Sequence, residues 1–149
     1  MFITADKKHD SHAVHHFVGL ANAYLKDKGV QIIREIHFSD GAPGQFKSKT
    51  PFADVSKSND DYGFPIEKHF FGTRHGMGPC DGEFGVIKRS VSTAVLARKA
   101  IVNDAEDFHK YACQELSIQE SNGQDCCHNQ HSFFLVGERD ITRKRQDRI

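Results

Sequence analysis

Nowhere in the 149 residues does an apolar run approach the roughly 20 residues a membrane-spanning helix needs, and Met1 to His12 carry no apolar segment behind their charges. The expectation is a chain with neither leader nor anchor, intracellular and without a membrane partner. Net charge is missing too, since 20 basic residues meet 20 acidic ones. That balance argues against a protein that coats polyanions over its whole surface and leaves only a local basic face for such contacts. The 4 cysteines (Cys80, Cys113, Cys126, Cys127) are too few and too clustered for a disulfide scaffold, and an intracellular setting keeps them reduced. Neither internal repeats nor low-complexity segments interrupt the chain. A chain of this length reads as one domain, able to bury roughly 70% of its unfolded surface.

What is present alternates between helical and strand-like spacing. Phe2-Ile3-Thr4-Ala5 fits the end of a strand, and Asp10 or Ser11 is a good helix N-cap. Val14, Phe17, Val18, Ala21, Tyr24 and Leu25 recur at helical spacing, with His12, His15, Asn22 and Lys26 on the other face and Gly29 as C-cap, so a helix is expected over 11–28. The pair His15-His16 is read as one surface histidine and one at the core boundary rather than as metal ligands. A strand follows over 30–38, rich in β-branched and aromatic residues. Gln45 to Val55 reads as a helix broken by Pro51, and Lys57 to Gly63 as a polar loop. Phe64 to Thr73 reads as a strand with internal charges, nearer a sheet edge. A long helix is expected over about 81–100, with Phe84, Ile87, Val91, Ala94 and Val95 as its apolar stripe. Another is expected over 103–116 with Asn103 and Glu106 as a capping box, then a polar irregular stretch over 117–131 and a strand over 132–136. The fold class is α/β.

Two carboxylates stand where chemistry is placed in such folds. Asp40, in Ser39-Asp40-Gly41-Ala42-Pro43-Gly44-Gln45-Phe46-Lys47, sits at the tip of one strand before a glycine-rich turn. Asp81, in His75-Gly76-Met77-Gly78-Pro79-Cys80-Asp81-Gly82, stands between another strand and a helix. Hard oxygen ligands at neighbouring strand-to-helix junctions suit Mg2+ or Mn2+, and ions so held can activate water and stabilise the leaving oxygen of a phosphodiester. The plainer account is turn chemistry, because Asp-Gly is a common turn dipeptide and Asp81 is well placed as a helix cap. Lys47, Lys49, Arg74, Lys88 and Arg89 offer cations to a nucleic-acid backbone, with ordinary surface charge an equal account of Lys49. His75 is read either as an acid/base or DNA contact, or as a loop-stabilising hydrogen bond. Cys126, Cys127, His128 and His131, with Cys113 upstream, carry donors that suit zinc, but no Cys-x-x-Cys pair anchors them. The terminal Arg143-Lys144-Arg145 is read as a frayed basic tail, weakly compatible with nuclear import or nucleic-acid contact.

Ser39-Asp40-Gly41 with Gln45-Phe46-Lys47, His69-Phe70-Phe71, His75-Gly76-x-Gly78-x-x-Asp81-Gly82 and Lys88-Arg89 together resemble the catalytic-domain pattern of DDE-type transposases. The resemblance covers roughly residues 9 to 116. It implies an RNase H-like core, a mixed sheet with helices on both faces, Asp40 and Asp81 as catalytic metal ligands for Mg2+ or Mn2+, and Glu83 as the alternative third acid. It also implies DNA as partner, contacted by Gln45, Lys47, Arg74, His75, Lys88 and Arg89, a nuclear location, and DNA strand cleavage and transfer as the ancestral reaction. The division it suggests is a partial catalytic core over 1–116 and a polar segment, short strand and basic tail over 117–149.

Two departures qualify it. Met77 stands where the pattern has a basic residue, and Phe84 where it has a glycine. The family's first acid lies on the first strand of a meander for which there is no room before the helix at 11, and Asp6 and Asp10 are wrongly placed to replace it. The expectation is a partial, inactive domain with its first strands missing, its oligomeric state open. The alternatives are a non-catalytic nucleic-acid-binding or protein-interaction module and, more weakly, a small zinc-binding protein.

Overall fold

A computed structural model describes residues 1–8, 10–71, 78–117 and 131–143. In chain order the elements are β1 (Phe2–Thr4), α1 (Ser11–Asp27), β2 (Glu35–Ser39), α2 (Pro43–Phe46), α3 (Lys49–Ser56), α4 (Ser58–Tyr62), β3 (Ile66–Phe70), α5 (Pro79–Leu96), α6 (Ala105–Glu115) and β4 (Phe134–Val136). The fold is mixed α/β. Instead of one mixed sheet, the described residues form two separate parallel pairs, β1 with β4 and β2 with β3. Contacts cluster in two units, one drawn from Met1–Lys7 and Met77–Asp140, the other from Lys8–Gly76 and Ile141–Ile149.

In the second unit, α1 starts where Asp10 accepts the Ala13 N–H on Oδ1 (2.9 Å) and ends at Gly29, whose φ of +77° only glycine adopts cheaply. The other carboxylate oxygen of Asp10 accepts from Arg143 Nε at 2.7 Å, tying residue 143 to the start of the helix. Partial burial raises the Asp10 carboxyl, but the Arg143 hydrogen bond, the Ala13 N–H and nearby positive charge outweigh it and hold the group below its ordinary value. One helical position departs from the expected pattern. Asn22, assigned to the polar face, is buried at 8% exposure with neither amide atom hydrogen-bonded among the described residues. Leaving such a group unpaired costs about 1–3 kcal/mol.

β2 begins five residues later than expected, at the point where its partner, itself two residues late, offers a pairing edge. Glu35 is in register with Ile66, and the residue before Ile66 is Pro65, which has no N–H to offer; its carbonyl takes the Glu35 N–H at 3.1 Å and pairing stops. Pro51 does not break a helix. It stands third in α3, in the first turn where an N–H needs no partner, and is fully buried, while the real break falls between α2 and α3. The expected polar loop at 57–63 contains α4, closed by Gly63 at φ +82°. Ser58 explains this helix: at 2% exposure it donates to Val55 O (2.8 Å) and accepts from Ile66 N (3.0 Å), linking α3 to β3.

In the first unit, α5 starts two residues earlier than expected, because Pro79 fits the first helical turn, and ends at Leu96 rather than Ala100. Its stripe is narrower than its sequence pattern: Ile87, Val91 and Ala94 are buried, but Phe84 and Val95 are exposed. The capping residues of α6 are shifted by one, Asp104 receiving the Asp107 N–H at 2.8 Å in place of an Asn103–Glu106 box. α6 packs on β1 and β4. Ile3, Ala112 and Val136 are buried there, and the rings of Phe2 and Phe134 stack at 5.2 Å across the register pair.

Candidate functional site

β2 and β3 are parallel neighbours in register from Glu35–Ile66 to Ser39–Phe70, and the Phe71 N–H donates to Ser39 O at 2.9 Å. The two strands therefore end side by side, as the two strand tips read from sequence require. Asp40 follows at once. Its Oδ1 accepts the Ala42 N–H at 3.1 Å, an Asx turn, so the carboxylate shapes the loop it opens. Gly41 is buried at φ +73°, and a Cβ there would lie 2.6 Å from Lys47 Cε. No other residue fits without displacing Lys47, whose ammonium lies 4.7 Å from the centre of the Phe70 ring. The corner thus gathers Asp40, Gly41, Lys47 and Phe70 at the C-terminal ends of two strands, one acid and one base held by a glycine turn. Gln45 lies half-buried in α2.

The other predicted residues belong to the first unit or lie outside the described residues. Asp81 is exposed in the first turn of α5, its Oδ2 accepting the Gly78 N–H at 2.8 Å. That favours a negative charge at a helix start. Glu83 faces His131 at 3.1 Å, and Lys88 covers the Phe84 ring at 4.2 Å, while Arg89 is exposed. Arg74 and His75, with Met77, fall outside the described residues, as do Cys126, Cys127 and His128. Cys113 sits 3.4 Å from His109, one turn away on α6.

Asp40 thus holds an Asx turn and Asp81 caps the start of α5, and the two belong to different units. Among the described residues no group of three or more His, Cys, Asp and Glu side chains could hold a metal ion. The described helices also contain none long and apolar enough to cross a membrane.

A polar cluster under the β2–β3 pair went unseen in the sequence. His15 Nδ1 lies 3.2 Å from Asp54, His37 Nε2 lies 2.8 Å from Glu35, and Lys68 Nζ donates to Pro51 O at 3.3 Å. Burial pushes the Lys68 ammonium below its ordinary pKa, opposed by the charge of Asp54. Strand alternation was the available signal: Glu35, His37, Ile66 and Lys68 share the inner face, and a lysine there has to find oxygen partners.

No curated protein and no solved structure matches this chain. A family model matches residues 1–145, and the chain belongs to that family, described as a domain of unknown function, DUF8701.

Proposed function

We propose that this protein is a partial RNase H-like domain of the DDE-transposase type that engages DNA without cutting it. The observation that carries the reading is the common end of β2 and β3, which sets the Asp40–Gly41 turn and Lys47 at one corner. A strand tip of this kind is where α/β folds present ligand-binding turns. Lys47 there supplies a cation for a phosphate backbone, and in the other unit Lys88 and Arg89, exposed on α5, offer two more. Loss of cutting rests on the donor count: strand cleavage of this type depends on fixed ions and stabilisation of developing charge, and Asp40 and Asp81 are two carboxylates where the resembled pattern has three.

The test measures duplex binding by fluorescence anisotropy across a salt series, with nicking of supercoiled DNA in Mg2+ and Mn2+ as its second arm. Lys47→Ala and Lys88→Ala should each weaken binding to all sequences alike and reduce the salt slope by about 1. The plasmid should stay whole. Absence of salt-dependent binding overturns the DNA reading, and metal-dependent nicking abolished by Asp40→Asn overturns the non-cutting one.

A protein-interaction module is the second reading, favoured by the outer face of the β2–β3 pair, where Ile36 and Phe38 are 44% and 62% exposed. Sedimentation of the pure protein tests it for self-association: a concentration-independent monomer counts against it.

A further inference from the structure

The buried, unpaired amide of Asn22 marks a second site in the same unit as β2 and β3. Asn22 lines a cleft of about 440 Å3 between α1, the segment 30–32 and the end of α4. That volume lies within the range of small-ligand pockets, roughly 300–1,000 Å3. Ile32 and Phe64 supply apolar wall. Tyr62 lines it as well, its ring stacked on Phe64 at 5.9 Å with 24° between planes. On the rim, Lys26 and Asp61 bring one charge of each sign. The cleft therefore combines aromatic walls and a net-neutral rim with an unpaired amide, one donor and one acceptor, closed off behind the wall that Asn22 contributes.

We infer that this cleft takes a planar nitrogen heterocycle carrying an adjacent donor and acceptor, the pattern shown by adenine, paired bidentately by Asn22. An asparagine amide matches the adenine N6 donor and N7 acceptor, whereas guanine presents two acceptors at the equivalent positions. Stacking on an aromatic wall holds the ring, as in single-strand and extruded-base sites. The amide is closed to solvent in the empty cleft. Binding accordingly requires a rotation of the Asn22 side chain that exchanges an unpaired buried amide for one paired with the ligand. The rim charges cancel, so added phosphates contribute little. The inference stands on the cleft alone and does not depend on the DNA reading; the ring can come from a free nucleoside or from an unpaired base in a strand.

The test is calorimetric titration of the full chain with adenosine, guanosine, AMP, oligo-dA and oligo-dT, with thermal shift in parallel. Adenosine or oligo-dA should bind at least about tenfold more tightly than guanosine or oligo-dT, as a bidentate contact discriminates. AMP should match adenosine within a few-fold. Binding by adenosine points to a free ligand, and binding by oligo-dA alone to a base within a strand. Asn22→Leu should remove the adenosine or oligo-dA response while leaving the unliganded melting temperature unchanged or raised, because it removes an unpaired polar group. Lys47→Ala should leave this response intact, which separates the cleft from the corner at Asp40. Equal responses to adenosine and guanosine, no response to any adenine probe, or an undiminished response in Asn22→Leu would each overturn the inference; the first two are read on the wild type and need no variant to fold.

Discussion

The β1–β4 and β2–β3 pairs use the same parallel ladder but bury it differently. In the short pair, Ile3 and Val136 are 7% and 3% exposed, and α6, which packs on both strands, carries the wholly buried Ala112. The longer pair has Ile66 at 7% on its inner face, yet Ile36 and Phe38 on its outer face are 44% and 62% exposed. Parallel ladders ordinarily have both faces covered. The short pair leaves Leu135 41% exposed and the long pair leaves two such residues open, so the three-residue strands under a helix are covered at least as well as the five-residue ones. Burial and ladder length are separable here, and burial should set the energetic weight of a residue.

The same truncation made in both sheets should have very different consequences. Ile3→Ala should cost about 2–5 kcal/mol, as for a buried isoleucine, and Ile36→Ala about 1 kcal/mol or less. Urea unfolding followed by circular dichroism gives both numbers, and equal losses would show that the outer face of β2 is covered in solution.

The unit holding β2–β3 relies on polar ties where its burial is thin, and Asp10 is the clearest. Asp10→Ala removes both a helix cap and the Arg143 bond and should cost about 1–2 kcal/mol. Its folded pKa lies below the ordinary value, so its contribution is fully present above an unfolded pKa of about 3.9 and fades as pH falls through the lower folded value. Acid titration monitored by hydrogen exchange should therefore loosen α1 below about pH 4 in the wild type. In Asp10→Asn, which keeps a cap acceptor without the charge, that part of the pH dependence should vanish.

The smallest expected effect compares the two acids, one in each unit. Asparagine accepts the same backbone N–H, so Asp40→Asn and Asp81→Asn should each change stability by about 0.5 kcal/mol or less. A loss above about 2 kcal/mol in thermal melts would show that one carboxylate has work beyond its turn.

Local grammar was legible wherever neighbours in sequence decide the outcome. Asp10 and Gly29 mark the ends of α1 through a side-chain bond and a torsion, and the 3.6-residue stripe of α5 announces Ile87, Val91 and Ala94, whereas Gly63 closes a helix where the sequence reads as a polar loop. Pro51 misled because its effect depends on position within a helix, and third place in α3 removes the penalty. The Asp40 corner was half visible: the turn could be read, but the seat of Lys47 over Phe70 depends on β3 ending beside β2. The partners of Lys68 and the burial of Asn22 left no local mark, since each depends on elements distant in sequence.

The kinds and order of most elements, the ending of two strands at glycine-bearing stretches, and the turn and cap chemistry of Asp40 and Asp81 were already written in the sequence, because these follow from torsions and hydrogen bonds within a few residues. Only the tertiary structure decided that the strands divide into two pairs, that β2 starts at Glu35, and that an asparagine on a nominally polar helix face lies unpaired beside a cleft. Those outcomes depend on what each surface meets: a strand exists only as far as a partner offers N–H and C=O groups, and a side chain is buried only if another element covers it.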